Sequence, residues 1–213
     1  MQPATGANRL VTLAVAAAAI VLVGGCEAQW ELYDAAALGS ARKLLVMPAV
    51  GAPGADGPHV GPVQTGLLIT VLDQTGRFTV EGPCQSRRKT IAETGMGQAV
   101  WDQAFQADLA DQLDADLLVV SEVYDFRATT QSKSAWYYVG QSNWTESTYC
   151  VGVSLRLISP ADGRAVYFGM GEGASQLGYG PALLDATRAA LIGVTDYLAA
   201  NPAPQAYAEG GHP

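Results

Sequence analysis

Thiols, imidazoles and carboxylates are the side chains of this 213-residue chain that could do chemistry, and there are only three cysteines and two histidines. His59 lies in a Gly/Pro-rich loop and His212 one residue from the end, so no histidine-based triad or zinc cluster can be assembled within one domain. Gly-x-Ser-x-Gly and a phosphate-cradling glycine loop are missing. Gly169-Met-Gly-Glu-Gly173 is glycine-rich but has no lysine or helix start after it, and reads as a flexible or bulged strand. Asp108, Asp111, Asp114 and Asp116 are spaced around and beyond a helix, as a solvated face rather than the oxygen-rich loop that calcium needs. Glu122 and Asp125 have no second functional group beside them. The expectation is a chain with no catalytic residues, no metal and no cofactor. What remains is thiol chemistry. A bridge between Cys84 and Cys150 would close a loop of about 66 residues, worth at most roughly 4 kcal/mol. The same two residues also read as small buried hydrophobes that never meet.

Cys26 is different, because its neighbours specify a reaction. Arg9 precedes an apolar run from Val11 to Val23, and Gly24-Gly25 supplies small residues at a cut site, which are the parts of a secretory signal. The run is shorter than the roughly 20 residues of a transmembrane helix. Ending in Val-Leu-Val-Gly-Gly-Cys26, it resembles a bacterial lipoprotein signal. That resemblance implies cleavage before Cys26 and acylation of the new terminus, and stable anchoring takes two or three acyl chains. The resemblance makes residues 1–25 the signal and 26–41 a tether, with helical turns from about Trp30 to Leu38. The formal charge is −8, with 12 basic and 20 acidic residues, and cleavage removes one more positive charge. So acidic a chain argues against nucleic acid and anionic headgroups as partners. Contact with the membrane is expected through the lipid alone.

The elements that must position everything else lie in residues 42–200. Lys43 to Pro48 is a continuous apolar run, as a covered parallel strand requires. Gly51 to Pro62 reads as loop. Val63, Leu67, Leu68, Val71 and Leu72 fall at helical spacing, and Thr75-Gly76 ends that helix before a strand at Arg77 to Glu81. Arg87, Arg88 and Lys89 form a small basic cluster, read as a solvated helix start or loop. Trp101, Phe105, Leu109 and Leu113 stripe a second helix. Leu117 to Phe126 is the central strand. Val151 to Ser159 and Ala165 to Gly171 flank turn residues 160–163. A helix through Leu184, Arg188, Leu191, Thr195 and Leu198 closes the domain, and residues 201–213 read as a disordered tail. The fold class is therefore α/β: one domain, a mixed sheet with a parallel βαβαβ start and an antiparallel hairpin, and helices packed on the sheet.

The series Leu44 to Pro48, Thr75 to Val80, Asp114 to Val120, then Val153 to Ser159 with Asp162-Gly163, resembles the pattern of the curli secretion-channel lipoproteins. It is similar also to the lipoprotein activator of a bifunctional penicillin-binding protein and to the amino-terminal domain of the Tol-system translocation protein. The resemblance implies a non-catalytic envelope protein that binds or assembles. Two departures separate this chain from a channel. Residues 174–181 are too few to cross a bilayer twice, since each strand needs roughly 9 to 11 residues. Neither face of residues 127–149 has the lipid-facing apolar band of a barrel strand. In that polar segment Trp136, Tyr137, Tyr138 and Trp144 are the candidate partner surface, because Trp and Tyr are enriched at binding hot spots. The alternative is that half of them pack onto the sheet and close it. Glu27 after the cysteine fits sorting to the outer membrane, periplasmic face. The expected function is a binding or regulatory module for a cell-wall or surface-export complex, with an envelope protein as partner. The rival is self-association as a ring in a transport assembly.

Overall fold

A computed structural model describes residues 28–51, 57–82, 114–138 and 140–202, with backbone alone for residues 57, 58 and 137. The signal, Cys26, Cys84, the basic cluster, the stripe of Trp101 to Leu113 and the tail from 203 onward lie outside the described residues. The elements are β1 (Gln29–Leu32), α1 (Ala35–Ser40), β2 (Lys43–Val46), α2 (Gly57–Asp73), β3 (Thr79–Glu81), β4 (Leu117–Tyr137), β5 (Gly140–Ile158), β6 (Ala165–Ser175), α3 (Tyr179–Ala190) and α4 (Ile192–Ala200). Among the described residues six strands form one sheet in the order β1-β6-β5-β4-β2-β3. β2 runs parallel to β3 and to β4, while β4, β5, β6 and β1 follow one another antiparallel. This is the α/β mixed sheet with a parallel start and an antiparallel hairpin that the sequence predicts.

The apolar run of β2 splits by strand alternation. Leu44 and Val46 point to the face that α1, α2 and α3 cover, where they join Leu117, Val119, Val153, Leu155, Leu68, Leu72 and Leu183 in the main core. Leu45 and Met47 are buried on the other face with Leu118 and Val120. Burying such a side chain contributes about 1.5–3 kcal/mol. The β2–β4 register is pinned by Asp116, whose carboxylate accepts the Arg42 and Lys43 amides at 2.7 and 2.9 Å. Asp116 is thus a backbone cap rather than one of a row of solvated carboxylates.

Three elements differ from expectation. Residues 29–32 and 35–40 belong to the domain, not to a tether. β1 pairs with β6 from Gln29 opposite Met170 to Leu32 opposite Tyr167, and the Asp34 side chain caps α1 by accepting the Ala37 amide at 2.8 Å. A four-residue edge strand gives no periodicity to read. α2 starts at Gly57, ahead of Pro62. Thr65 holds this first turn to the loop after β2 by donating to the Gly61 carbonyl and accepting the Ala49 amide. The last helix is two, broken at Leu191. The break brings Gly193 of α4 beneath the Trp30 ring, which stands where a Cβ would otherwise sit, and lets the Tyr197 hydroxyl donate to the Ala35 carbonyl at 2.7 Å.

The glycine-rich segment of β6 packs closely on its neighbour α3. Gly169, Gly171 and Gly173 share the helix-covered face, and a Cβ on any of them would lie 2.0–2.3 Å from a carbonyl oxygen of Ala190, Ala186 or Ala182. The spacing of four between those alanines lays one small-residue stripe of α3 onto the glycine stripe of β6. Tyr167 shares that face; its hydroxyl donates to the Ala190 carbonyl at 2.8 Å, and burial pushes its pKa up to about 12.

Candidate functional site

The sheet does not end where its core ends. β6 stops pairing with β5 at Ser175 opposite Tyr149, yet β4 and β5 remain paired from Ala128 opposite Tyr149 to Tyr137 opposite Gly140. Ten residues of each strand make a two-stranded ribbon, about 33 Å long at 3.3 Å per residue. Among its described side chains none is buried. Thr, Trp and Tyr favour extended backbone, and Gly140, at φ 133°, begins β5 in a conformation that favours glycine.

An aromatic clamp joins the ribbon to the body. Phe126 stacks on Tyr179, the first residue of α3, with ring centroids 3.8 Å apart, and Tyr149 meets Tyr179 edge-on at 4.7 Å. The β4–β5 register shifts between Val123 and Asp125, and the Tyr124 ring fills the space over Gly152. Cys150 sits here, opposite Arg127, half-buried with a free thiol. Its candidate bridge partner, Cys84, lies outside the described residues.

Directly opposed residues in an antiparallel pair share a face. One ribbon face therefore carries Ala128, Thr130, Ser132, Ser134 and Trp136 with Gln141, Asn143, Thr145, Ser147 and Tyr149. It has no charge, and the Thr130 and Ser147 hydroxyls are 3.3 Å apart. The other face carries Arg127, Lys133, Trp144 and Glu146. There the Glu146 carboxylate binds the Lys133 ammonium and accepts the Trp144 indole N–H at 3.0 Å. The Lys133 hydrogen bond, then that of Trp144, holds the Glu146 carboxyl below the usual carboxylate range.

The register thus divides the aromatic residues that the sequence groups together. Trp136 and Trp144 occupy opposite faces. Trp136, 78% exposed, and the fully exposed Tyr138 stand at the tip, whereas Trp144, at 39%, is held by Glu146. Tyr137 closes the ladder opposite Gly140. Trp136, Tyr138 and Trp144 are all exposed rather than buried against the sheet. Tyr179 and Gly152, which clamp and shape the root, carry no signal in the sequence beyond an aromatic before a helix and a glycine inside a strand.

Other features offer less chemistry. Among the described residues no three His, Cys, Asp or Glu side chains gather as a metal site. A shallow groove runs between the end of α2 and α4, past Val71, Arg188, Ile192 and Leu198. No helix among the described residues is long and apolar enough to cross a membrane.

No protein-family model and no curated protein matches the chain. Solved structures do. PelC from Paraburkholderia phytofirmans, a dodecamer, is similar at 14% identity over 79% of this chain and 96% of that one, with a TM-score of 0.49. Lipoprotein GNA1162 from Neisseria meningitidis is similar at 12% identity over 63% and 83%, TM-score 0.44. The LpoB C-terminal domain from Salmonella enterica is similar at 15% identity over 64% and 83%, TM-score 0.38. Bacterial lipoproteins are thus among the structural neighbours, and the likeness carries no function across to this chain.

Proposed function

We propose that the chain is a lipid-anchored, periplasm-facing envelope lipoprotein, held by Cys26 in the outer membrane, that acts without catalysis by binding a protein partner of a cell-wall or surface-export complex. The observation that supports this most is the ribbon. Ten paired residues per strand extend past the core, and among the described residues they pair only with each other beyond the root. An isolated two-stranded hairpin is marginal in water, so a ribbon of this length is maintained for what it meets. Its shaft offers unpaired backbone edges, hydroxyls, and one pre-ordered aromatic, Trp144, already oriented by Glu146. A side chain fixed before binding costs less entropy to immobilise.

A second reading, a ring of copies, draws on one observation. Among the described residues β4 beyond Glu122 and β5 ahead of Tyr149 pair only with each other, and an open edge is a template for another strand. One experiment addresses both readings: crosslinking in intact cells, with wild type beside Trp144→Ala. The first reading expects one foreign envelope protein, captured at least about fivefold less by the variant, as loss of a contact worth ~1 kcal/mol or more implies. Crosslinks only between copies would favour the ring. Undiminished capture by the variant would remove the shaft as the contact surface.

A further inference from the structure

The anchor and the ribbon leave the sheet at the same end. Gln29 is level with Met170, and through it with Ser154 and Glu122 on the next strands. β1 is antiparallel to β6, so tracing the chain back from Gln29 leads toward Gly173, the direction in which β4 and β5 continue as the ribbon. Only Glu27 and Ala28 separate Cys26 from Gln29, and three residues reach at most about 10 Å. The last ribbon pair, Tyr137 and Gly140, lies about 45 Å beyond Glu122 at 3.3 Å per residue. An acylated Cys26 leaves no slack to lift the domain away from the bilayer. The ribbon tip then overreaches the anchor by about 35 Å along the strand axis.

A ribbon pointed straight at the bilayer would have to enter it. Its shaft cannot, because both faces are polar and, among the described residues, both edges leave backbone groups unpaired, each costing several kcal/mol in hydrocarbon. The tip can reach the interface. From Ser134 to Thr145 there is no charged residue, in a chain with 20 acidic side chains. The flanking charges, Lys133 and Glu146, neutralise each other. Trp136 and Tyr138 are exposed here among the described residues, and such amphipathic rings favour the headgroup level of a membrane.

We infer that the tip, through Trp136 and Tyr138, is a second membrane contact that inserts shallowly into the lipid interface. With the acyl chains of Cys26 at one point and the rings about 35 Å away at another, the strand axis lies close to the bilayer plane and the shaft runs along the surface. This inference rests on the proposed lipid anchor. It leaves the shaft and Trp144 as the protein contact.

The test uses the acylated chain in phosphatidylcholine vesicles brominated at either shallow or deep acyl positions, with tryptophan emission as readout. Co-sedimentation reads the anchor separately, and urea unfolding verifies that Trp136→Phe is folded. Wild type is expected to be quenched more by shallow than by deep bromines, and Trp136→Phe to lose quenchable emission by roughly twofold or more. Adding anionic lipid is not expected to increase the quenching, since the tip has no charge for it to attract. Sedimentation with vesicles but equal quenching of wild type and variant would sink the tip contact while leaving the anchor standing. Deeper quenching together with leakage of a trapped dye would overturn it in favour of a spanning assembly. Failure to sediment at all would remove the anchor and this inference with it.

Discussion

At the scale of single residues, one tight constraint among the described residues is an absence of atoms. Gly171 faces the backbone of α3 so closely that a Cβ would lie 2.3 Å from the Ala186 oxygen and 2.4 Å from the Ala190 nitrogen. Both are helix backbone atoms, which cannot rotate aside. Gly171→Ala is expected to destabilise by about 3 kcal/mol, at the upper end of overpacking costs, seen as a lower urea midpoint with unchanged slope. Gly180 is the control. It lies in the first turn of α3, and nothing lies within 4 Å of its would-be Cβ, so Gly180→Ala should be neutral or stabilising by up to ~1 kcal/mol. Equal effects at the two positions would contradict the close approach. The pairing was half visible in the sequence: alternate glycines in one strand and alanines four apart in a helix each make a small-residue stripe. Nothing in either stripe says that they meet.

At the scale of elements, the ribbon and the body are separable. Replacing residues 129–148 by Asn-Gly would leave the clamp of Phe126, Tyr149 and Tyr179 intact, and the ribbon shares no core residue. The shortened protein is expected to melt within a few degrees of the parent, as a change below ~1 kcal/mol implies, and to have one chain's mass in size analysis over a wide concentration range. A large loss of stability would mean that the ribbon is folded onto the body. The β2, α2, β3 unit and the β5–β6 pair were legible because apolar residues at helical spacing or in buried runs announce them. Strand limits were less so. Leu117 to Phe126 and Val151 to Ser159 are the parts that bury side chains, and the strands run on through Ser, Thr and Gln, where exposure on both faces erases the alternation that marks a strand. β1 is only four residues long. The helix break at Leu191 has no proline or glycine at that position and is set by tertiary fit to Trp30 and Tyr197. For the site, the aromatic segment was legible by composition, but only the register shows that Trp136 and Trp144 face opposite ways.

At the scale of the whole molecule, the proposed anchor and the folded domain are nearly one object. Cys26→Ala is expected to move the protein from the membrane fraction to the soluble periplasmic fraction while its far-ultraviolet circular dichroism and urea midpoint stay unchanged, because two residues separate position 26 from β1 and the tip alone is a weak hold. Persistent sedimentation with membranes would show that something other than acyl chains retains it. Pairing of β1 with β6 has a further consequence, for the timing of export. Gln29 emerges first and its partner Met170 about 140 residues later, a long-range pairing that forms late. Throughout that interval the edge of β6 does not exist and β1 has nothing to zip against. The segment beside Cys26 therefore stays extended and open to processing enzymes until translation and translocation are nearly finished, and the sheet seals it only afterwards.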